Sequence, residues 1–411
     1  MQYILRHIEK PLREYLGIFP AVSLTGPRQS GKSTMLREMF KDQYAYVSFD
    51  DPLTLDFLAQ DPKGFMKQHG DRVIFDEAQK APLLFNYLKI AIDEDRHNYG
   101  KFILTGSSQF SLIRQITETL AGRIGALSLL PFHMNELPQQ WRKEQMLKGS
   151  YPELVHLKYT NTTQWYGAYV NHYIERDVRG IANIGNLSDF QRLIKLLAAR
   201  VSQELNVSSL ANDIGVTVRT IQNWISILEA SYIIFLVPSY HKNLGKRIVK
   251  RPKLYFYDTG LVCYFTGIEE EAVLRQGPLD GPVFDNYIVA EIKKWIMHHG
   301  LKDQLFYFRT NLGIEVDVII ENLAENVLRL IEIKSTETAK PEMFQNILKV
   351  KELESKNQKR KPRIKSLLIY RGDTIAEFRE GRGCINYFDC FDNQARLSVF
   401  GDPGDTRPDP K

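Results

Sequence analysis

The chain has 411 residues, 43% of them hydrophobic and 25% charged, a composition that fits a folded globular protein and excludes a fibrous or largely disordered one. Lys and Arg outnumber Asp and Glu by 54 to 49, a basic excess that permits an anionic partner without requiring one. At roughly 150 residues per domain, this length predicts two or three packed units rather than a single module.

The N-terminal segment mixes charged and apolar residues and lacks the unbroken apolar stretch of a signal peptide. No apolar run anywhere approaches the roughly 18 residues of a membrane-spanning helix, so no membrane partner is expected. The three cysteines, Cys263, Cys384 and Cys390, form no C-x-x-C pair, which argues against a disulfide framework or a zinc site and fits a reducing, cytoplasmic compartment.

The first element is a short apolar strand at residues 21–24. It runs into Gly26, Pro27, Arg28, Gln29, Ser30, Gly31, Lys32 and Ser33, which match G-x-x-x-x-G-K-[ST] at every fixed position, and residues 34–40 then have helical composition. Such a strand–loop–helix turns backbone N–H groups inward around phosphate oxygens and adds the partial positive charge of a helix start. On this reading Gly26 to Thr34 hold the phosphates of ATP, Lys32 reaches the β- and γ-phosphates and Ser33 holds Mg2+.

A second strand, residues 72–75, ends in Asp76 and Glu77, where a parallel sheet presents polar groups to a ligand. Asp76 is expected in the magnesium shell and Glu77 beside the attacking water. Standing alone, the pair would read as an acidic helix cap. A third strand, 102–104, leads into Thr105, Gly106, Ser107 and Ser108, whose hydroxyls, Ser107 among them, are placed to sense the γ-phosphate. Arg123, in Ala121-Gly122-Arg123, is a candidate arginine finger donated across a homo-oligomer contact, with an ordinary salt-bridged arginine as the alternative.

The segments GPRQSGKST, VIFDEAQK, LTGSSQF and LAGRIGALSLLPF resemble the successive motifs of AAA+-type predicted ATPases that carry a DUF4143 C-terminal region. The later segments Gly149-Ser150-Tyr151-Pro152-Glu153 and Tyr173-Ile174-Glu175-Arg176-Asp177 are similar to motifs of the same family. The resemblance implies ATP binding and hydrolysis.

The N-terminal unit is assigned residues 1–135 and a helical connector residues 136–190. In 191–260 a capped helix, a glycine turn and a second helix over residues 218–229 predict a helix-turn-helix, with Ile221, Trp224, Ile225 and Leu228 inward. Arg219, Gln222 and Asn223 then face outward as DNA-reading side chains. A strand over 232–237 and a basic run containing Lys242, Lys246, Arg247, Lys250, Arg251 and Lys253 complete a winged-helix pattern. Lys246, Arg247 and Lys250 are its candidate phosphate contacts. A rigid spacer, or a module docking a protein partner, is the alternative.

In 261–395 an amphipathic helix around residues 284–292 precedes strands carrying Asp317 and the pair Glu332 and Lys334. Residues two apart on a strand share a face, so Glu332 and Lys334 point the same way. Asp317 on the neighbouring strand converges with Glu332 on a hard cation, leaving Lys334 to orient water. This unit resembles the PD-(D/E)xK nuclease fold, which implies a further helical acid. Asp285 fits that place best and Glu291 less well, although Asp stands where such nucleases commonly carry Glu. The alternative is a retained charge network without cleavage. Residues 396–411, rich in Pro, Gly and Asp, are expected to be a disordered tail.

The predicted whole is an α/β protein: a P-loop NTPase parallel-sheet domain, a helical and winged-helix middle, and a restriction-endonuclease-like C-terminal unit. The function expected is Mg2+-dependent ATP hydrolysis acting on or with DNA. A nucleotide-switched protein-binding module with an inactive nuclease-like domain is the rival.

Overall fold

The computed structural model describes residues 3–106, 112, 115–116, 118–171, 186–240, 251–356, 362–378, 382–391 and 399–400. Its N-terminal unit is a five-stranded sheet: β1 (Ala21–Thr25), β2 (Ala45–Ser48), β3 (Val73–Asp76), β4 (Phe102–Thr105) and β5 (Ile124–Ser128). The order is β2-β3-β4-β1-β5 and every pairing is parallel. Strands β1, β3 and β4 are buried throughout and read as near-continuous apolar runs, because a parallel sheet is covered on both faces. Alternation along each strand feeds two separate clusters. Val73 and Phe75 pack with Phe49, Phe65 and Phe102, whereas Ile74 packs with Val22, Leu36 and Ile103.

Helices α1 (Glu9–Leu16), α2 (Lys32–Phe40), α3 (Pro52–Gln60), α4 (Pro62–Gln68) and α5 (Pro82–Glu94) complete this unit. All five strands end on one edge, and the loop between β1 and α2 sits there. The α/β class and the parallel sheet agree with the expectation from sequence.

The middle of the chain is helical: α6 (Arg142–Lys148), α7 (Pro152–His156), α8 (Thr162–Tyr169), α9 (Leu187–Ala199), α10 (Val207–Ile214) and α11 (Val218–Ala230). Asn206 caps α10 by accepting the Ser209 N–H, left-handed Gly215 ends it, and Thr217 caps α11 by accepting the Thr220 N–H. An antiparallel pair, β6 (Ile234–Val237) and β7 (Lys253–Phe256), follows. Residues 172–185, with the motif at Tyr173 to Asp177, and residues 241–250 lie outside the described residues.

The C-terminal part begins with α12 (Thr259–Thr266), α13 (Glu271–Gln276) and α14 (Asp280–His298). Next come β8 (Gln304–Arg309), β9 (Glu315–Asn322) and β10 (Val327–Lys334) as an antiparallel meander. Helix α15 (Gln345–Lys356) leads to β11 (Arg363–Tyr370), which joins β10 in parallel; β12 (Ala376–Phe378) and β13 (Arg382–Asn386) close the far edge.

Helix α14 departs from its amphipathic expectation. Tyr287, Ile288 and Ile292 are buried, and so are Glu291, Lys294 and His298. The sheet covers one side of the helix and the connector covers the other, so few positions remain for water. One apolar cluster therefore runs from Leu130 through Trp224, Tyr255 and Ile288 to Ile333 and Val399. Packing continues past residue 395: Val399 is buried and the Phe400 ring stacks on Trp295 with centroids 5.9 Å apart. The rest of the expected tail, 396–398 and 401–411, lies outside the described residues. No helix among the described residues is long and apolar enough to cross a membrane.

The segment before α1 threads into the seam between the units. There the His7 ring lies 5.4 Å from Trp295 and 4.8 Å from His299, and burial lowers its pKa from 6.5 to about 4 against the pull of Glu136. An unfolded histidine binds its proton at higher pH than this one does, so the stabilisation from neutral His7 is complete above pH 6.5 and fades as pH falls towards 4. Wild-type protein should lose about 2 kcal/mol more between pH 7 and pH 5 than His7→Gln, measured by urea unfolding. Equal losses would assign the acid sensitivity to other groups.

Candidate nucleotide site and C-terminal acidic cluster

The loop between β1 and α2 turns through positive φ at Gly26 (144°), Gln29 (60°) and Gly31 (91°). At Gly26 a Cβ would lie 2.1 Å from the Leu129 carbonyl oxygen, so only glycine lets the loop settle on the end of β5. Ser30 is fully buried and its hydroxyl has no hydrogen-bond partner. An orphaned polar atom inside such a loop fits an incoming phosphate oxygen. The Lys32 ammonium is buried and donates to the carbonyls of Gly26 (3.0 Å) and Pro27 (2.9 Å), which folds it over the loop. Arg28 and Gly31 are partly exposed, and Gln29 and Thr34 are open to solvent.

Across the loop, the Ser33 hydroxyl donates to Asp76 Oδ2 at 3.2 Å. Asp76 also accepts from the hydroxyls of Tyr46 and Thr105, so three hydroxyls converge on a carboxylate at the end of β3. Facing hard-oxygen donors from Ser33 and Asp76 suit Mg2+. Glu77 follows in the left-handed region (φ 52°), an unusual place for a residue with a long side chain, and its carboxylate accepts from Gln79 Nε2 at 2.5 Å. Gln79 also covers Gly106, where a Cβ would meet its amide oxygen at 2.2 Å. Ser107, the expected phosphate sensor, lies outside the described residues.

Beside the loop, between the N-terminal segment and α2, lies a cleft of about 540 Å³. Its walls include Tyr3, Ile4, Thr34, Met35, Glu38, Phe132, Glu153 and His156. Arg123 stands just before β5, at the edge of the sheet opposite the loop, and makes a two-pronged pair with Asp93 (2.7 and 3.0 Å). The length of β5 separates it from its own Lys32, so it cannot serve the nucleotide of its own chain in this arrangement.

Sequence reasoning missed several residues that shape the site. Tyr232, expected to begin a strand, instead turns through φ 56° between α11 and β6. Its hydroxyl lies 2.7 Å from Thr25 Oγ1 and 2.9 Å from Ser128 Oγ, at the ends of β1 and β5. Arg6 donates to the Ser30 carbonyl at 2.9 Å. Neither residue belongs to a local pattern; the DEAQK segment, by contrast, did contain Gln79. On α11, Arg219, Gln222 and Asn223 are exposed while Ile221, Trp224, Ile225 and Leu228 are buried, as the helical period requires. Lys246, Arg247 and Lys250 lie outside the described residues.

In the C-terminal sheet, Asp317, Glu332 and Lys334 do come together. Lys334 Nζ donates to Asp317 Oδ2 (3.1 Å) and Glu332 Oε2 (2.7 Å), and the Ile333 N–H donates to Asp317 Oδ2 (2.9 Å). The two carboxylates keep the ammonium protonated to higher pH although burial alone would lower its pKa. Burial, reinforced by Asp317, pushes Glu332 up to about 8 and Asp285 up to about 7. Glu332 Oε1 and Asp285 Oδ1 are buried without partners, a donor chemistry that fits a cation. Yet no group of three or more His, Cys, Asp or Glu among the described residues could hold a metal ion. Lys334 already occupies the charge-compensating position between the strand carboxylates.

One neighbour departs from its reading in the sequence, and another was not singled out there. Lys253, counted there with the basic wing, is buried and pairs with Glu315 at 2.7 Å. Tyr255 points its hydroxyl at Asp285 Oδ2, 3.4 Å away. Glu291 is remote from this cluster in its contacts, bonding to Lys294 (2.8 Å) and the Met134 N–H (2.6 Å) in the seam between units.

Comparison with known proteins bears out the resemblance drawn from the motifs. Residues 19–138 match the family model of an AAA domain, 139–272 a domain of unknown function (DUF8612) and 280–389 a domain of unknown function (DUF4143). The uncharacterised protein Rv2008c of Mycobacterium tuberculosis is 26% identical over 313 residues, 75% of this chain and 69% of its own, and Mb2031c of Mycobacterium bovis matches to the same extent. Among solved structures, the Walker-type ATPase PABY2304 of Pyrococcus abyssi is 16% identical, covering 63% of this chain and 94% of that one, with a TM-score of 0.43. The RuvB Holliday junction branch migration motor of Thermotoga maritima is 16% identical, covering 56% and 89%, with a TM-score of 0.28. The fold class of the N-terminal unit rests on its own sheet order and phosphate-type loop.

The Tyr232 hydroxyl ties the end of α11 to the edge of the sheet where this loop begins. Removing it in Tyr232→Phe should cost about 1–2 kcal/mol in urea unfolding, the usual range for a buried hydrogen-bonded hydroxyl. An unchanged midpoint and slope would show that the hydroxyl adds nothing to that closure.

Proposed function

We propose that this chain, an AAA domain joined to a DUF4143 region, binds ATP with Mg2+ at the loop between β1 and α2 and hydrolyses it. One observation carries the reading: an orphaned Ser30 hydroxyl, the folded-over Lys32 and the Ser33–Asp76 pair converge on one loop at the carboxyl edge of a parallel sheet. Residues 26–31 cradle the phosphates, Lys32 moves onto the β- and γ-phosphates, and Ser33 with Asp76 holds the metal. Bound Mg2+ supplies charge neutralisation on the phosphate oxygens. The cleft lined by Ile4, Thr34 and Met35 has the volume and mixed walls for a base and ribose.

Glu77, held by Gln79, accepts the proton of a water whose oxygen bonds to the γ-phosphorus. The bond to the bridging oxygen breaks, leaving ADP and phosphate. Arg123, too far from its own loop, exchanges Asp93 for the γ-phosphate of a neighbouring copy, which makes the working form a homo-oligomer in the cytoplasm. Ser107 serves as the phosphate sensor.

We further propose DNA as the partner. Arg219, Gln222 and Asn223 form an exposed polar face on the second helix of a helix-turn-helix, and Lys246, Arg247 and Lys250 belong to the adjoining basic segment. The C-terminal cluster supports a holding role over a cutting one, because the Lys334 ammonium already sits between Asp317 and Glu332 and donates to both. Cleavage would require the ammonium to give way to a metal between Asp285, Asp317 and Glu332. The rival reading, a nucleotide-switched module that docks a protein, draws on the same Lys334 arrangement.

Lys32→Ala and Glu77→Gln should each cut phosphate release by about 100-fold or more, and unchanged turnover in both would sink the ATPase assignment. At low salt, single-stranded, duplex or branched DNA should raise ATP turnover in the wild type, and replacing Arg219, Gln222 and Asn223 by Ala should remove the rise; turnover indifferent to all three DNA forms would favour a protein partner. No DNA cutting is expected with Mg2+ or Mn2+. Cutting that disappears in Asp317→Ala and Lys334→Ala would reverse that reading.

A further inference from the structure

We infer that the C-terminal unit sets the nucleotide affinity of the N-terminal one, with His298 as a positioning residue for the phosphate-binding loop. The inference rests on the assignment of residues 26–33 to nucleotide and adds a connection between units.

His298 is the last residue of α14 and is fully buried. Its Nε2 accepts a hydrogen bond from the Leu130 N–H at 3.0 Å, which places the ring proton on Nδ1, facing the Glu136 carboxylate at 3.4 Å. Burial holds the imidazole neutral. Arg6 grips the same residue through its carbonyl: Nη2 donates to the Leu130 carbonyl at 2.7 Å, and Nε lies 3.2 Å from Glu136. The remaining arm, Nη1, donates to the carbonyl of Ser30, the residue with the orphaned hydroxyl. The preceding residue, Leu129, supplies the carbonyl on which Gly26 rests.

Residues 129–130 are thus the bed of the loop. Gly26 touches them directly, Ser30 is tied to them through Arg6, and the C-terminal helix pins them through His298. Water cannot substitute for any of these contacts, because Arg6, Glu136 and His298 are 5%, 7% and 0% exposed. Loss of the Nε2 acceptor strands the Leu130 N–H and frees the bed to shift, and the loop shifts with it. Coupling of this kind runs both ways: whatever nucleotide does to the loop is felt at the end of the helix whose first turns carry Asp285.

The test uses the full chain, with fluorescent mant-ATP and Mg2+ as the probe. His298→Leu should weaken mant-ATP binding about tenfold, with the loss in Kd rather than in turnover at saturation. His298→Gln, whose amide oxygen can accept from the Leu130 N–H, should recover most of the affinity. Wild-type affinity in His298→Leu, or equal losses of affinity and turnover in both variants, overturns the inference. Should His298→Leu fail to fold, hydrogen exchange on the wild type decides: nucleotide should slow exchange of the amides in 280–298 as well as in the loop, and protection confined to the loop overturns it. Lys32→Ala separates the two readings, since wild-type mant-ATP affinity in that variant discards the nucleotide assignment itself.

Discussion

A single carboxylate with no access to water, Glu136, holds three parts of the chain in register. It accepts the backbone N–H groups of His7 and His133, both at 2.7 Å, pairs with Arg6 and faces His298. Burial alone would favour its neutral form; Arg6, helped by the two backbone N–H donors, outweighs that and keeps it ionised well below the usual range. Such a buried pair adds little net stability over an apolar replacement, because desolvation of both charges offsets their attraction. Its effect is on geometry. With Glu136 charged, Arg6 has one place to go, and from there it reaches Ser30 and Leu130.

The two acidic clusters answer the cost of burying a carboxylate in different ways. Asp76 is surrounded by hydroxyls from Ser33, Tyr46 and Thr105, neutral donors that rotate and can be displaced. Asp317 and Glu332 share a lysine, a fixed positive charge two residues along the same strand. The first arrangement leaves room for a cation to arrive with its ligand. The second already contains its cation, covalently attached, while Asp285 Oδ1 and Glu332 Oε1 remain unsatisfied. Polar atoms left in that condition are seldom kept for stability's sake.

What could be read from the sequence was what is local. The phosphate loop, the strand ending in Asp76 and Glu77, the capped helix with its glycine turn before the second helix, and the common face of Glu332 and Lys334 all follow from spacing along a few residues. Arg6, Tyr46 and Tyr232 could not be found that way, because each reaches the site from a distant stretch of chain and carries no signature of its own. Lys253 was misread for a related reason: a basic residue near other basic residues looks solvated until the fold turns it towards Glu315. Helix α14 misled through its pattern, since Glu291 and Lys294 mark a polar face in sequence and a buried, mutually satisfied pair in the molecule.

The apolar cluster that runs unbroken from Leu130 to Val399 has a consequence for how the chain can be inherited. Tyr287, Ile288 and Ile292 on α14 are covered partly by residues that precede α12, so a break between the middle and the last sheet would leave two wet, sticky halves rather than two working modules. Recombination that swapped one half for a foreign counterpart would have to reinvent the seam. The regions on either side of residue 272 are therefore bound to travel together, as a matched set.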